Sequence, residues 1–246
     1  MKILVLNPNI SEEITHNLMR EANKLCNVDC VINTTHVERG VEYIENETEA
    51  LMASVSVIEY VSVNHSKYDA IIVAAFGDPG VSFLKSCLDI PIIGLTEASM
   101  YTAVMLGNTI GIYTISASFI PWYRKIIGAL GITNKVTFIK SLDLNMFDKD
   151  RSAVVADAAK AIKKAQAALG SSECVDVLVL AGAPFSGVAC ELDDLAVPVV
   201  DGISCAIKMC QSLFEMNKSR HKNMSGKIYS KKTYGIPKTV IDLLSY

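Results

Sequence analysis

Asp69-Ala70-Ile71-Ile72-Val73-Ala74-Ala75-Phe76-Gly77-Asp78-Pro79-Gly80-Val81 follows its leading Asp with a continuous apolar run and breaks into a turn. A continuous apolar run bounded by Gly and Pro reads as a strand buried on both faces, as in parallel sheets. At an offset of 107 residues stands Asp176-Val177-Leu178-Val179-Leu180-Ala181-Gly182-Ala183-Pro184-Phe185-Ser186-Gly187-Val188. The two stretches share the leading Asp, the apolar run, an Ala and a closing Gly-Val. Further on, Leu88-x-x-Pro91 meets Leu195-x-x-Pro198, and Ile92-Ile93 meets Val199-Val200. Upstream, Ile3 meets Ile110 and Ser11 meets Ser118. One offset serving all these matches without a gap marks an internal repeat.

Each half alternates strand and helix patterns. Lys2–Leu6, Val28–Asn33, Ala70–Ala74 and Pro91–Leu95 read as strands in the first half. Thr109–Tyr113, Val136–Ile139, Val175–Leu180 and Val197–Val200 do so in the second. Ser11 is placed to cap a helix running to Lys24, with Glu12 and Glu13 in its first turn. Glu47–Val61 has helical spacing, with Leu51, Val55, Ile58 and Val61 predicted on one buried face. Phe119–Leu130, Arg151–Leu169 and Ile203–Phe214 are further helices. The pattern predicts an α/β fold of two pseudo-symmetric lobes, each a parallel sheet flanked by helices. The expected division is residues 1–97 plus about 207–246 for one lobe and 98–206 for the other.

Composition excludes several classes. A net charge of −3 offers no electrostatic footprint for nucleic acid. No apolar run reaches the roughly 18 residues of a membrane span. The opening apolar stretch stops at Asn7-Pro8-Asn9, too soon for an export signal, so a cytoplasmic location is expected. The seven cysteines are an odd number without a CxxC pair, and the four histidines are scattered. Free thiols and no metal site follow. No Walker loop or G-x-G-x-x-G is present, and no nucleotide cofactor is expected. The basic stretch Lys218–Lys232 reads as a solvated terminal segment or an oligomer contact.

In parallel α/β sheets, ligands sit beyond the carboxyl ends of the strands. Those ends carry Asn7-Pro8-Asn9-Ile10-Ser11 and Thr114-Ile115-Ser116-Ala117-Ser118, together with the two loops quoted above. A cleft between matching loops is therefore the expected site for a small molecule. Asn9, Ser11, Phe76, Gly77, Thr114, Ser116, Ala183 and Pro184 are its candidate binding residues. Amides, hydroxyls and helix N-terminal NH groups suit a carboxylate or imide oxygen. Helix capping is the alternative role for the polar members.

These loops resemble those of the hydantoin and allantoin racemases in the aspartate/glutamate racemase superfamily. Ile3-Leu4-Val5-Leu6-Asn7-Pro8-Asn9-Ile10-Ser11 is similar to the family's opening strand and its N-P-N-[TS]-S loop. Phe76-Gly77-Asp78-Pro79-Gly80 is similar to its C-F-G-D-P-G loop after the first residue. Ile93-Gly94-Leu95-Thr96-Glu97-Ala98-Ser99-Met100 and Pro198-Val199-Val200-Asp201-Gly202-Ile203 extend the likeness to about residue 215. The resemblance implies a cofactor-independent enzyme, homo-oligomeric, with one cysteine per lobe on either side of an acidic carbon. One thiolate would remove a proton and the opposite thiol return one.

Both cysteine positions are replaced. The residue before Phe76 is Ala75, and its repeat mate is Gly182. Neither carries a proton. Cys174 and Cys190 lie eight residues to either side of Gly182. Asp78 remains as a candidate base or turn-former. Tyr101, where the family has a histidine, is a candidate acid or a packed helix residue. The readings that stand are a racemase or isomerase without the two-cysteine mechanism, a diverged lyase, decarboxylase or hydrolase, and a non-catalytic binder. A racemase whose cysteine was replaced in the laboratory is a fourth.

Overall fold

The computed structural model describes residues 1–25, 29–144, 150–216 and 232–243. The first half runs β1 (Lys2–Asn7), α1 (Glu12–Lys24), β2 (Val31–His36), α2 (Glu47–Asn64), β3 (Ala70–Val73), α3 (Val81–Cys87), β4 (Ile92–Gly94) and α4 (Leu95–Leu106). The second runs β5 (Ile110–Thr114), α5 (Ile120–Ala129), β6 (Val136–Ser141), α6 (Arg151–Ala167), β7 (Val177–Ala181), β8 (Val199–Asp201) and α7 (Gly202–Met216), with α8 (Lys238–Leu243) following. The predicted second strand starts at Val31; Val28 lies outside the described residues, as does the basic stretch up to residue 231.

All strands pair in parallel, in the orders β2-β1-β3-β4 and β6-β5-β7-β8. The repeat extends to register. Ile3 pairs with Ala70 and Ile110 with Val177; Ile71 pairs with Ile92 and Leu178 with Val199. Each second pair is the first moved by the repeat offset. The outer pair departs: Ile3 pairs with Ile32 but Ile110 with Val136, and the β5–β6 register shifts again between Ile110 and Gly111. The helix α3 has only a short 3-10 turn, Ala189–Glu191, as its counterpart.

The last helix of each half crosses to the other half's sheet. α4 packs on β7 and β8, α7 packs on β3 and β4, and the two helices pack on each other. Met100 and Ala103 are buried with Ile110, Ile112 and Val177; Ile203, Ala206 and Ile207 are buried with Ile3, Val5 and Ile72. The lobes are thus tied by their own cores. Ile207→Ala, at a fully buried position, is expected to cost about 2–5 kcal/mol. Urea unfolding followed by circular dichroism and by tryptophan emission should give one coincident transition.

One expected face is rotated. Leu51 is 70% exposed and Val55 48%, whereas Ala50, Ala53, Val57 and Val61 are buried. The smaller side chains let α2 approach closely, so the buried stripe falls on them rather than on the larger residues.

Candidate active site

Asn7, at the end of β1, organises the first loop. Its Nδ2 donates to Asn9 Oδ1 (2.8 Å), Thr15 Oγ1 (3.0 Å) and the Ser11 carbonyl (3.2 Å). Asn9 Oδ1 also accepts from Ser11 N at 3.0 Å. The Asn9 side chain is therefore held by its oxygen, and its Nδ2 group has no acceptor among the described residues. The Ser11 hydroxyl accepts from Ile14 N and so caps α1. In the second half, the Ser116 hydroxyl accepts from Ser118 N and engages the Ser118 hydroxyl at 2.9 Å. Thr114 is fully buried.

Beyond these strand ends lies a cavity of about 60 Å³. Ala75 and Phe76 line it from one lobe, and Ala181 to Pro184 from the other. Positions 75 and 182, where the family resemblance expects thiols, thus open into one space. Gly182 has φ +134°, a conformation that disfavours any side chain. Arg151 braces this wall: its guanidinium donates to the Pro184 carbonyl at 2.8 Å and to the Ser186 carbonyl.

The remaining walls come from Tyr43, Ile44 and Glu45, between β2 and α2, and from Phe119 and Tyr123, around the start of α5. Tyr123 stacks on Phe119 with centroids 5.5 Å apart and tilts against Phe76 at 4.6 Å. Burial pushes the Tyr123 phenol above its ordinary value. The phenol is therefore a neutral donor. Glu45 is exposed at the rim, and its NH donates to Glu49 Oε2 at 2.7 Å.

Of the residues selected by sequence, Asn9, Phe76, Ala183 and Pro184 line the cavity, as do Ala75 and Gly182. Ser11, Gly77, Thr114 and Ser116 support the loops without lining it. The two catalytic candidates lie elsewhere. Tyr101 is 42% exposed. It borders a separate groove of about 410 Å³ with Lys85 and Glu97, and with Met209 and Leu213 of α7. The Asp78 carboxylate accepts from Thr96 N (2.8 Å) and Glu97 N (2.9 Å), capping α4, which leaves both oxygens occupied. Gly77 N also donates to Thr96 Oγ1 at 2.6 Å, tying the loop to the same helix end.

Asp78 has a thermodynamic signature. Burial raises it from 3.8 to about 7, against the two backbone donors that pull it down. A carboxyl whose folded pKa lies above its unfolded one binds its proton more tightly in the folded state. Its contribution to stability is full below about pH 4 and lost as pH rises through about 7. Asp78→Asn should remove this component, flattening the pH dependence of the urea midpoint across that window.

Tyr43 to Glu45 lie in a loop with no strand or helix period, and Tyr123 sits in a helix with no motif, so nothing in the sequence singles them out. Among the described residues, Cys30, Cys87, Cys174, Cys190, Cys205 and Cys210 form no disulfide, and none lines the cavity. No three His, Cys, Asp or Glu side chains among them converge as a metal set. No described helix is long and apolar enough to cross a membrane.

The family model Asp/Glu/Hydantoin racemase matches residues 3–210. A hydantoin racemase of Paenarthrobacter aurescens is 28% identical over 239 residues, covering 95% of this chain and all of that one. The allantoin racemase structure from Klebsiella pneumoniae superposes with a TM-score of 0.83 at 25% identity, covering 98% of each chain. An arylmalonate decarboxylase variant structure aligns with a TM-score of 0.63 at 12% identity, covering 87% of this chain and 92% of that one, a likeness of fold. Two parallel sheets repeated in order and register, strand-end loops meeting at one cavity, and a family match across most of the length agree: the chain belongs to the Asp/Glu/hydantoin racemase family.

Proposed function

We propose that the protein is an isomerase-class enzyme, cofactor-independent, acting on a small hydantoin-like, amide or amino-acid-derived compound in the cavity between Ala75 and Gly182. The observation that carries this reading is one cavity lined from both lobes at the two positions where the family resemblance expects thiols. The two-thiol route is closed, since neither position bears an acid or base.

The cavity offers other groups. Glu45 is the carboxylate that lines it and Tyr123 is a phenol held neutral by burial. In the proposed step, the proton on the carbon next to a carbonyl passes to the Glu45 carboxylate. The electron pair of the broken C–H bond moves onto the carbonyl oxygen, which the Tyr123 hydroxyl hydrogen-bonds. The resulting planar enolate regains its proton from Glu45 on the face it left, restoring the carbon, or takes one from water on the opposite face, inverting it, and the hydroxide so formed is neutralised by the proton on Glu45. Proton NMR in deuterated water should show loss of the substrate C–H signal faster than in buffer alone. Glu45→Gln should slow that exchange by about 100-fold.

A second reading, a non-catalytic small-molecule binder, is favoured by the same pair of proton-free residues. It predicts binding with exchange no faster than buffer. A homo-oligomer and a cytoplasmic setting remain part of the proposal, tested by light scattering and by fractionation.

A further inference from the structure

The free edge of β4 opens on a groove. Ile92 packs with Leu84 and Leu88 on one face of the sheet, and Ile93 with Ile203 and Ile207 on the other. Both line the groove of about 410 Å³ that Tyr101 borders, as does the whole segment from Leu88 to Ile93. A space that meets residues of both faces of one strand lies along its edge. The other edge of β4 is taken by β3. Register fixes what the free edge offers. Ile71, opposite Ile92, donates its N–H to the Pro91 carbonyl at 2.9 Å. Along a strand, residues two apart turn their N–H and C=O groups to the same side, and the residue between turns them away. The Pro91 carbonyl faces β3, so Ile92 turns its N–H and C=O outward, along the groove. Ile92 is 3% exposed, and no described residue supplies a partner to either group. Buried backbone groups are otherwise almost always paired.

We infer that this groove is a second small-molecule site, taking uncharged open-chain diamides with one branched aliphatic side chain. The amides pair with the N–H and C=O of Ile92, as an added strand would. The side chain lies on Leu88, Met209 and Leu213, which line the groove. Lys85 is the one cation among the lining residues, and both oxygens of Glu97 hold it at 2.6 Å, so an anionic ligand finds no free partner there. The volume lies within the roughly 300–1,000 Å³ of small-molecule sites. The groove shares no lining residue with the cavity between Ala75 and Gly182, so this inference is independent of the proposed function.

The test titrates N-acetyl-leucine N-methylamide into the full chain, labelled with nitrogen-15 at isoleucine, and follows the Ile92 amide signal by NMR. A saturable shift of that signal is expected. The analogue methylated on both nitrogens keeps the carbonyls and the side chain but donates nothing, and should bind about 10-fold more weakly. N-acetyl-glycine N-methylamide, without the side chain, should also bind about 10-fold more weakly. Leu213→Trp fills the groove and should abolish the shift. If a thermal melt shows that Leu213→Trp does not fold, Tyr101→Trp on the opposite wall is read in its place. Ala75→Leu should leave the titration unchanged. The inference is overturned if the Ile92 signal does not saturate, if either analogue binds as tightly, or if the folded groove variant binds as the native chain does. Binding lost in Ala75→Leu also overturns it, since the diamide then sits in the cavity.

Discussion

Ala75→Leu is expected to weaken binding of a small cyclic amide by on the order of 100-fold, or about 2.7 kcal/mol, while the fold is kept. Ala75 is nearly buried and lines the cavity floor opposite Gly182. The three added carbons enter the space between the two strand-end loops, where a bound ring would have to lie. Because the added group enters a void rather than a packed core, the stability cost should stay near the low end of the roughly 1–3 kcal/mol of overpacking. Calorimetric titration beside a thermal melt separates the two effects. Loss of binding together with loss of cooperative melting would instead mark the position as structural.

Gly94→Ala should destabilise the chain by about 3 kcal/mol, through a single contact. Gly94 has ordinary φ, so the backbone tolerates alanine there. Its Cβ, however, would lie 2.1 Å from Asp78 Cγ. The carboxylate must move, and with it go the bonds to Thr96 N and Glu97 N. In an Asp78→Gly background, which suits the φ of +49° at that position, the Asp78 side-chain atoms that Cβ would meet are gone, so the same substitution should cost less than about 1 kcal/mol, a coupling measurable by a double-mutant cycle in urea. Additive costs would contradict this account of the helix end.

The second half solves the same problem differently. The repeat mate of Gly94 is Asp201, which receives Ser204 N at 2.9 Å and the Ser204 hydroxyl at 3.0 Å, capping α7 from the strand end itself. The repeat mate of Asp78 is Phe185, fully buried. Each half therefore keeps one carboxylate at the start of its crossing helix, supplied by the loop in one case and by the strand in the other. Asp78 and Gly94 belong together, as do Phe185 and Asp201.

This exchange shows where sequence is informative and where it is not. The repeat was legible because parallel strands need apolar runs and their turns need Gly and Pro at set places, and these survive divergence. The cavity floor followed, since strand ends are fixed by the sheet. The roles of Asp78 and Tyr101 were not legible. A carboxylate in a strand-end loop looks the same whether it faces a ligand or a helix end, and only the position of α4 decides. Tyr43 to Glu45 and Tyr123 reach the cavity from elements whose periodicity says nothing of it. The stripe on α2 misled for a related reason: Leu51 and Val55 have the right spacing, but close approach selected Ala50 and Ala53 beside them.

The central claim is that this family member works between Ala75 and Gly182 without thiols. It is tested most directly by deuterium exchange at the ring carbon of isopropyl-substituted hydantoin, followed by proton NMR, in native chain pretreated with a thiol-alkylating reagent under native conditions. The account predicts exchange above the buffer rate that alkylation leaves unchanged and that Ala75→Leu abolishes. Exchange that disappears on alkylation of a still-folded chain, persists in Ala75→Leu, or never exceeds buffer would contradict it.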